Sequence, residues 1–316
     1  MIRYSLRRSL QAALVIFVMS FVLYNLIGLM PGDPIDVMLE GNPSVTPELM
    51  AQMRALYGVD QPLVVRYWRW LLAALTGDFG YSNTYFRPVL EILVPAILQT
   101  LKLMVLTLMV SIPVSLLLGS VAARRPNGWV DNIVSVLALT SISSPIFWLA
   151  LVFIIVFAVK LQWLPAGGSS MAGAPLMEQL TYLVLPVLTL ASFTSGQLIR
   201  YVRASMIETL NADFIRTARA KGLAEHTVVL RHGLRNAMLP VVTVIALSFG
   251  SLMSGALVVE TMYGMLGMGK AVYDAIVNKD FNVALAGLLF ATVVTLASSL
   301  LADLAYGWLD PRVRLE

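Results

Sequence analysis

The chain has 316 residues, of which 58% are hydrophobic and 13% charged, with a mean hydropathy of +0.80. Soluble domains carry about 25% charged and about 45–50% apolar residues, so an ordinary soluble enzyme is excluded. A disordered chain, which needs low hydrophobicity, is excluded too. There is no Cys and only two His, His226 and His232, which removes disulfides, thiol chemistry and Cys-ligated zinc and leaves no metal site to predict. The formal net charge of +4 is too small to indicate nucleic acid, and the implied partner is the lipid bilayer.

Six stretches are apolar over the roughly 20 residues that about 30 Å of hydrocarbon requires. In chain order they fall at about 9–29, 97–121 (with Pro113), 132–159 (Pro145 near its middle), 180–200 (with Pro186), 237–258 and 283–308. The first follows a basic start (Arg3, Arg7, Arg8). It is longer than the apolar run of about 7–15 residues of a signal peptide and is followed by no A-x-A site, so it reads as an uncleaved anchor. The expected class is an all-α polytopic membrane protein.

Orientation follows the basic residues. With the N-terminus inside, Arg3, Arg7, Arg8, Arg124, Arg125, Arg200, Arg203, Arg312, Arg314 and the basic residues between 216 and 235 all lie on the inner side. Both termini are therefore expected in the cytoplasm. Segment 30–96 is then outside. It has dense turn signals, P-G-D-P at 31–34, N-P at 42–43 and G-D-F-G at 77–80. A short helix is expected over 47–57, with Thr46 as N-cap and Pro47 opening it. Residues 62–75 read as amphipathic, with Trp68 and Trp70 suited to the membrane interface.

The inner loop at about 201–236 is longer than a turn requires. Asn211 or Asp213 is placed to cap a short helix running to Lys221. Gly222 stands at the position that ends such a helix, and a second short helix is expected from about 224 to 232. Phe214, Ile215 and Ala218 are expected on one face. The residues alone leave two readings, a dock for a soluble partner or an interfacial helix with a solvated charged face.

Other motifs carry less. G-M-L-G-M-G-K-A at 264–271 fits G-x-x-x-x-G-K, but Ala271 replaces the hydroxyl residue that would bind Mg²⁺ and no strand precedes it. It reads as a tight loop between the last two spans. Lys102 and Asp303 lie near span ends and read as snorkelling. No carboxylate with a clear partner is visible mid-membrane, which argues against an ion-coupled carrier, and no selectivity ring indicates a channel. The prolines either line a pathway or are plain kinks. Ser141, Ser143, Ser144, Ser192, Thr194, Ser195 and Gly196, like Gly250, Ser251, Ser254 and Gly255, read first as close helix contacts. Met253, Met262, Met265 and Met268 read first as ordinary apolar filler, then as adaptable packing around a varied substrate, and last as a soft-metal path.

Several motifs together resemble the binding-protein-dependent ABC transporter permeases, in the dipeptide/oligopeptide/nickel branch. They are D-F-I-R-T-A-R-A-K-G-L at 213–223 and R-H-G-L-R-N-A-M-L-P at 231–240, with P-G-D-P at 31–34, Y-G-V-D-Q-P-L at 57–63, G-D-F-G-Y-S at 77–82, E-T-M-Y-G-M-L-G-M-G at 260–269 and L-D-P-R-V-R at 309–314. The large loop after span one resembles the first of the two permease subunits in such systems. Arg216, Thr217 and Ala218 stand where the family pattern has Glu-Ala-Ala, and Gly222 is its glycine. Arg for Glu departs from the general pattern but resembles the peptide branch. Met262, Tyr263 and Gly264 replace a more usual aromatic and proline run.

The resemblance implies six transmembrane helices, cytoplasmic termini and a small extracytoplasmic subdomain between helices 1 and 2. Its divisions are 1–29, 30–96 and a permease core at 97–316 containing the coupling loop 201–236. It implies a non-catalytic subunit of an ATP-driven importer for di- or oligopeptides in the bacterial inner membrane, working by alternating access. Implied partners are a second homologous permease, two cytoplasmic ATPases and an extracytoplasmic binding protein delivering substrate to 30–96 and 259–282. No cofactor is implied in this chain, ATP and Mg belonging to the ATPases. Phe214, Ile215, Arg216, Thr217, Ala218, Arg219, Ala220, Lys221 and Gly222 are implied ATPase contacts, while substrate-binding residues stay unassigned. The alternatives are a secondary transporter acting alone on an ion gradient, and a permease for a non-peptide solute such as a nickel complex.

Overall fold

The computed structural model describes residues 2–29, 46, 48, 50–52, 60–169 and 173–309, with side chains described except at 2–6, 239, 254 and 301–309. The turns expected at 31–34 and 42–43 lie outside the described residues, as do 57–59 and 310–316. Of the helix expected over 47–57, residues 48 and 50–52 are helical.

The helices, in order, are α1 (Ile2–Gly28), α2 (Leu63–Leu75), α3 (Val89–Ala123), α4 (Trp129–Ser143), α5 (Ile146–Phe153, continued by a π-helix Ile154–Lys160), α6 (Leu176–Leu210), α7 (Asp213–Ala220), α8 (Glu225–Thr227, continued by a π-helix Val228–Leu234), α9 (Arg235–Met262), α10 (Met268–Val277) and α11 (Phe281–Leu309). Among the described residues, four helices are long and apolar enough to cross a membrane, Arg7–Gly28, Val89–Ala123, Leu176–Leu210 and Phe281–Leu300, and two bent pairs bring the number to six.

The third expected span differs most from expectation. It is two helices whose axes differ by 105°, Trp129–Ser143 and Ile146–Lys160. Pro145 disfavours helical backbone at the residue before it. Ser144 accordingly takes φ −78°, ψ 128°, and its hydroxyl donates to the Thr140 carbonyl at 2.8 Å. Pro186, by contrast, sits inside the unbroken 35-residue α6.

The chain divides into two compact units, one of Met1–Arg8, Thr100–Met265 and Thr295–Glu316, the other of Ser9–Gln99 and Leu266–Val294. In the first, Leu103 and Met104 of α3, Ala150 of α5, Leu183, Leu185 and Leu190 of α6, and Leu252, Ala256 and Val259 of α9 form one apolar cluster. Met253 and Met262 pack against it. Small residues let the backbones approach, as membrane helices require in the absence of a hydrophobic drive between them. A Cβ on Gly196 would lie 2.7 Å from the Ala138 carbonyl, and one on Gly119 would lie 2.7 Å from Val202. At the end of α9, Tyr263 is buried. Its hydroxyl shares a hydrogen bond with Thr189 at 2.8 Å and donates to the Ala150 carbonyl at 3.3 Å. Its carbonyl accepts from the Gly168 N–H at 2.6 Å.

In the second unit Val89, Leu93, Ala275, Val283, Ala284, Leu285 and Leu289 form the core. The loop containing G-D-F-G-Y-S is fastened to the start of α11. Asp280 is buried, accepts from the Ser82 hydroxyl and the Thr84 N–H at 3.2 Å, and its backbone carbonyl accepts the first bond of the helix from Ala284 at 3.0 Å. The segment between the last two spans, read from sequence as a tight loop, contains the helix α10 after a glycine turn in which Gly264 takes φ 62°.

Candidate functional site

The site is α7 and its seat, all within the first unit. The first ten residues of the expected 201–236 loop continue α6 as helix to Leu210. Asn211 and Ala212 make the corner, and α7 starts at Asp213 with Ala212 as N-cap, at φ −70° and ψ 152°. Neither Asn211 nor Asp213 caps it. Asn211 instead donates its amide back to the Ile207 carbonyl at 2.9 Å. Asp213 lies in the first turn, where its charge complements the helix N-terminus. It faces Arg216 at 3.4 Å.

The helix ends as its sequence dictates. Lys221 donates its N–H to the Thr217 carbonyl at 3.1 Å, and Gly222 to that of Arg219 at 2.9 Å. Gly222 takes φ 78°, the left-handed region that glycine enters without a Cβ penalty. Nothing lies within 4 Å of where its Cβ would be, so conformation and not space selects glycine there.

One face of α7 is seated. Ile215 and Ala218 are buried and meet Val228 beneath them. Phe214, expected on that same face, is instead 46% exposed. At about 100° per residue it lies a full step from Ile215 on the helical wheel, and the seat is centred on Ile215 and Ala218. Arg216, Thr217, Arg219, Ala220, Lys221 and Gly222 are exposed as well. The nine predicted residues are thus split into a two-residue seat and a seven-residue surface.

The seat is braced from the far side of the turn. Arg219 Nη2 donates to Glu225 Oε1 at 2.8 Å, with a second bond from Nε to Oε2 at 3.2 Å. This hydrogen bonding holds the Glu225 carboxyl below its ordinary value and raises Arg219. Val229 belongs to a further cluster with Val202, Met206 and Leu210 of α6 and Ala237 and Val241 of α9. Ser205 donates its hydroxyl to the Ala237 carbonyl at 2.9 Å. The short helix expected at 224–232 is therefore α8 with most of its π segment, which passes into α9 and bends by 53° between Met238 and Pro240.

Three buried carboxylates at or beside helix ends, none of them mid-span, have partners that the sequence does not mark. Glu260, at the end of α9, accepts from the Thr100 hydroxyl of α3. Asp131 is gripped by Arg203, and Asp280 holds Ser82. Their partners are 160, 72 and 198 residues away in the chain, beyond the reach of any local pattern.

The chain matches the family model described as binding-protein-dependent transport system inner membrane component over residues 115–315, and the N-terminal model of the same membrane component over residues 1–104. It is 38% identical over 318 residues to a putative peptide permease protein of Brucella suis biovar 1 (strain 1330), covering all of both chains. It is 33% identical over 316 residues to the glutathione transport system permease protein GsiC of Escherichia coli (strain K12), again covering all of both. A crystal structure of an amino acid ABC transporter with histidines aligns with a TM-score of 0.52 at 15% identity, covering 68% of this chain and 93% of that one, a likeness of fold alone. The chain belongs to the binding-protein-dependent transport system inner membrane component family, and is a non-catalytic, multi-pass permease subunit of a bacterial inner-membrane ABC importer that works with ATPase and substrate-binding partners and needs no cofactor of its own.

Proposed function

We propose that this chain is one of two homologous permeases in an importer of di- and oligopeptides, with two cytoplasmic ATPases, one of them seated on its α7. The observation that carries this is the split of α7 into a buried seat and an exposed surface at the end of a long rigid helix. Phe214 would enter an apolar groove of the ATPase, and Arg216, Arg219 and Lys221 would set its orientation. Ile215 and Ala218 would transmit the load to Val228 without touching the partner.

Only Asn211 and Ala212 separate α7 from α6. At 35 residues, α6 is about 50 Å long, more than the hydrocarbon thickness. A displacement of α7 on ATP-driven closure of the ATPases would pass into α6 and, through its packing, into α4 and α9. That gives the pathway two states, outward-open and inward-open, biased by ATP. Both termini would be cytoplasmic, and an extracytoplasmic binding protein would deliver substrate to 30–96 and 259–282. Peptides are the proposed class because the two relatives named above carry peptide and glutathione transport in their names.

The test is uptake of a labelled tripeptide by vesicles containing the whole transporter. Phe214→Asp and Gly222→Pro should each abolish ATP-driven uptake while the chain still inserts and assembles in the membrane. Normal uptake by either variant would exclude α7 as the coupling element. Strong ATP-driven uptake of a non-peptide solute, with none of peptides, would exclude the substrate class alone.

A further inference from the structure

The helix α2 packs by one side only. Tyr67 is 1% exposed. Its hydroxyl shares a hydrogen bond with that of Ser20 at 2.9 Å, and its ring meets Phe21 at 5.1 Å and Tyr24 at 5.7 Å, both edge-on. Trp70 lies 5.5 Å from Tyr24. Leu63 touches Gly28, where a Cβ would sit 3.3 Å from the leucine Cδ2. All of these partners belong to α1, a candidate membrane span. Ser20 precedes Gly28 by eight residues, which is about 12 Å of helix. The tyrosine hydroxyl therefore reaches well below the end of the span, and α2 crosses α1 inside the span's length.

The opposite side of α2 is bare and apolar. Val64, Val65, Trp68, Leu72 and Leu75 are all exposed, Leu75 by 75%. At about 100° per residue they form one stripe about 100° wide, and Arg66 and Arg69 both fall outside it. The stripe continues the exposed apolar surface of α1, where Phe17, Val18, Phe21 and Val22 are also open. The rings of Trp68 and Phe17 meet at 6.0 Å and join the two surfaces.

We propose that α2 is an in-plane membrane helix, embedded in the leaflet at the C-terminal end of α1, and that acyl chains of lipid occupy the Val64, Val65, Trp68, Leu72 and Leu75 stripe. A helix–helix interface in a membrane is enriched in small and polar residues. The stripe has none, and the two alanines of the helix, Ala73 and Ala74, point elsewhere on the wheel. An amphipathic helix with arginines beside an aromatic and aliphatic face is the composition that lies in the headgroup–acyl boundary. Arg69 stands on the flank from which a long basic side chain reaches phosphates, while Arg66 bonds to the Tyr24 hydroxyl of α1. The outer segment after α1 is thereby held in the bilayer at α2.

The absence of native Cys makes the test direct. Leu72→Cys and Val65→Cys, with Arg69→Cys as the flank reference, are labelled with bimane in the full chain. They are then reconstituted in phosphatidylcholine vesicles with and without brominated acyl chains, both alone and assembled with the other transporter subunits. Labels at 65 and 72 should lose emission in brominated vesicles and ignore aqueous iodide, in both preparations, whereas the label at 69 should be the more sensitive to iodide. Iodide quenching at 65 and 72 would overturn the proposal in favour of a water-exposed helix. Bromine quenching that vanishes on assembly would overturn it in favour of a protein partner. Either result leaves the coupling role of α7 unaffected, since that is read from uptake.

Discussion

Arg203 of α6 grips Asp131 of α4 with both its Nε and its Nη2, the latter at 2.7 Å, across 72 residues of sequence. The carboxylate is 2% exposed and accepts a further bond from the Asn127 N–H at 2.8 Å. The two-point geometry fixes the start of α4 against the last two turns of α6, the helix that leads into α7. Planar, forked donors make such a contact, and an ammonium does not reproduce it.

Removing the charge from Asp131 should therefore cost more than a surface change. Asp131→Asn keeps the size of the side chain but leaves Arg203 without its counter-ion, at a cost on the order of 3 kcal/mol. Thermal unfolding of the purified chain should show a lowered midpoint, and Arg203→Lys should lower it as well. An unchanged midpoint in both variants would mean that the pair contributes nothing to the fold.

Gly222 gives a sharper contrast, because its requirement is conformational. Ala there should cost about 1 kcal/mol from the left-handed backbone alone, while Asn, which tolerates that region, should keep more of the function. ATP-driven uptake should fall in the order Gly, Asn, Ala. The reverse order for Asn and Ala would indicate that a partner leaves no room beyond the Cβ.

These two sites mark how far the chain could be read from its letters. The α7 helix and its glycine stop were legible because everything that defines them lies within ten residues. The seat under Ile215 was not, since Val228 faces it only after the chain has turned at 221–224. Pro145 was legible as a disturbance, but its size was not, because the 105° break depends on where α4 and α5 then pack. The grip of Arg203 on Asp131 had no local signal, and neither did Glu260 beneath Thr100. The six apolar stretches were right in number when each bent pair counts as one span, and their helices run on past them, because polar helix ends outside the bilayer look like loop in a hydropathy reading.

Tyr263 should separate a lost hydrogen bond from a blocked backbone. In Tyr263→Phe the contacts to Thr189 and to the Ala150 carbonyl are lost, but the Thr189 hydroxyl keeps its bond to the Leu185 carbonyl at 2.9 Å, so the cost should sit at about 1–2 kcal/mol. Gly167→Ala should be worse, because its Cβ would fall 2.4 Å from the Tyr263 carbonyl oxygen and backbone cannot rotate out of the way. Unfolding midpoints of the two variants check the order.

The brace between Arg219 and Glu225 should respond to acid. The Glu225 carboxyl is lowered in the folded chain from an ordinary 4.5, so folding favours its ionised form. Its contribution is complete above 4.5 and is lost as the pH falls through the lowered value. Both side chains are about half exposed, which makes the effect small and salt-sensitive. Amide protection in α7, taken relative to the intrinsic exchange rate at each pH, should fall on acidification below pH 4.5 in the native chain and show no such step in Glu225→Gln. An equal step in the variant would assign the pH response to another group.

The π segment Val228–Leu234 has a consequence for the numbering of faces along the chain. A π turn lodges one residue more than an α turn would hold, so the helix downstream keeps its bearing while the count of residues slips by one. Any periodicity carried from Val228 into α9 is then wrong by about 100°, which is enough to turn a core position into a lipid-facing one. The segment is also a store of slack. Deleting one residue from it should let the turn relax to ordinary α spacing with Ala237, upstream of the 53° bend between Met238 and Pro240, still aimed where it is.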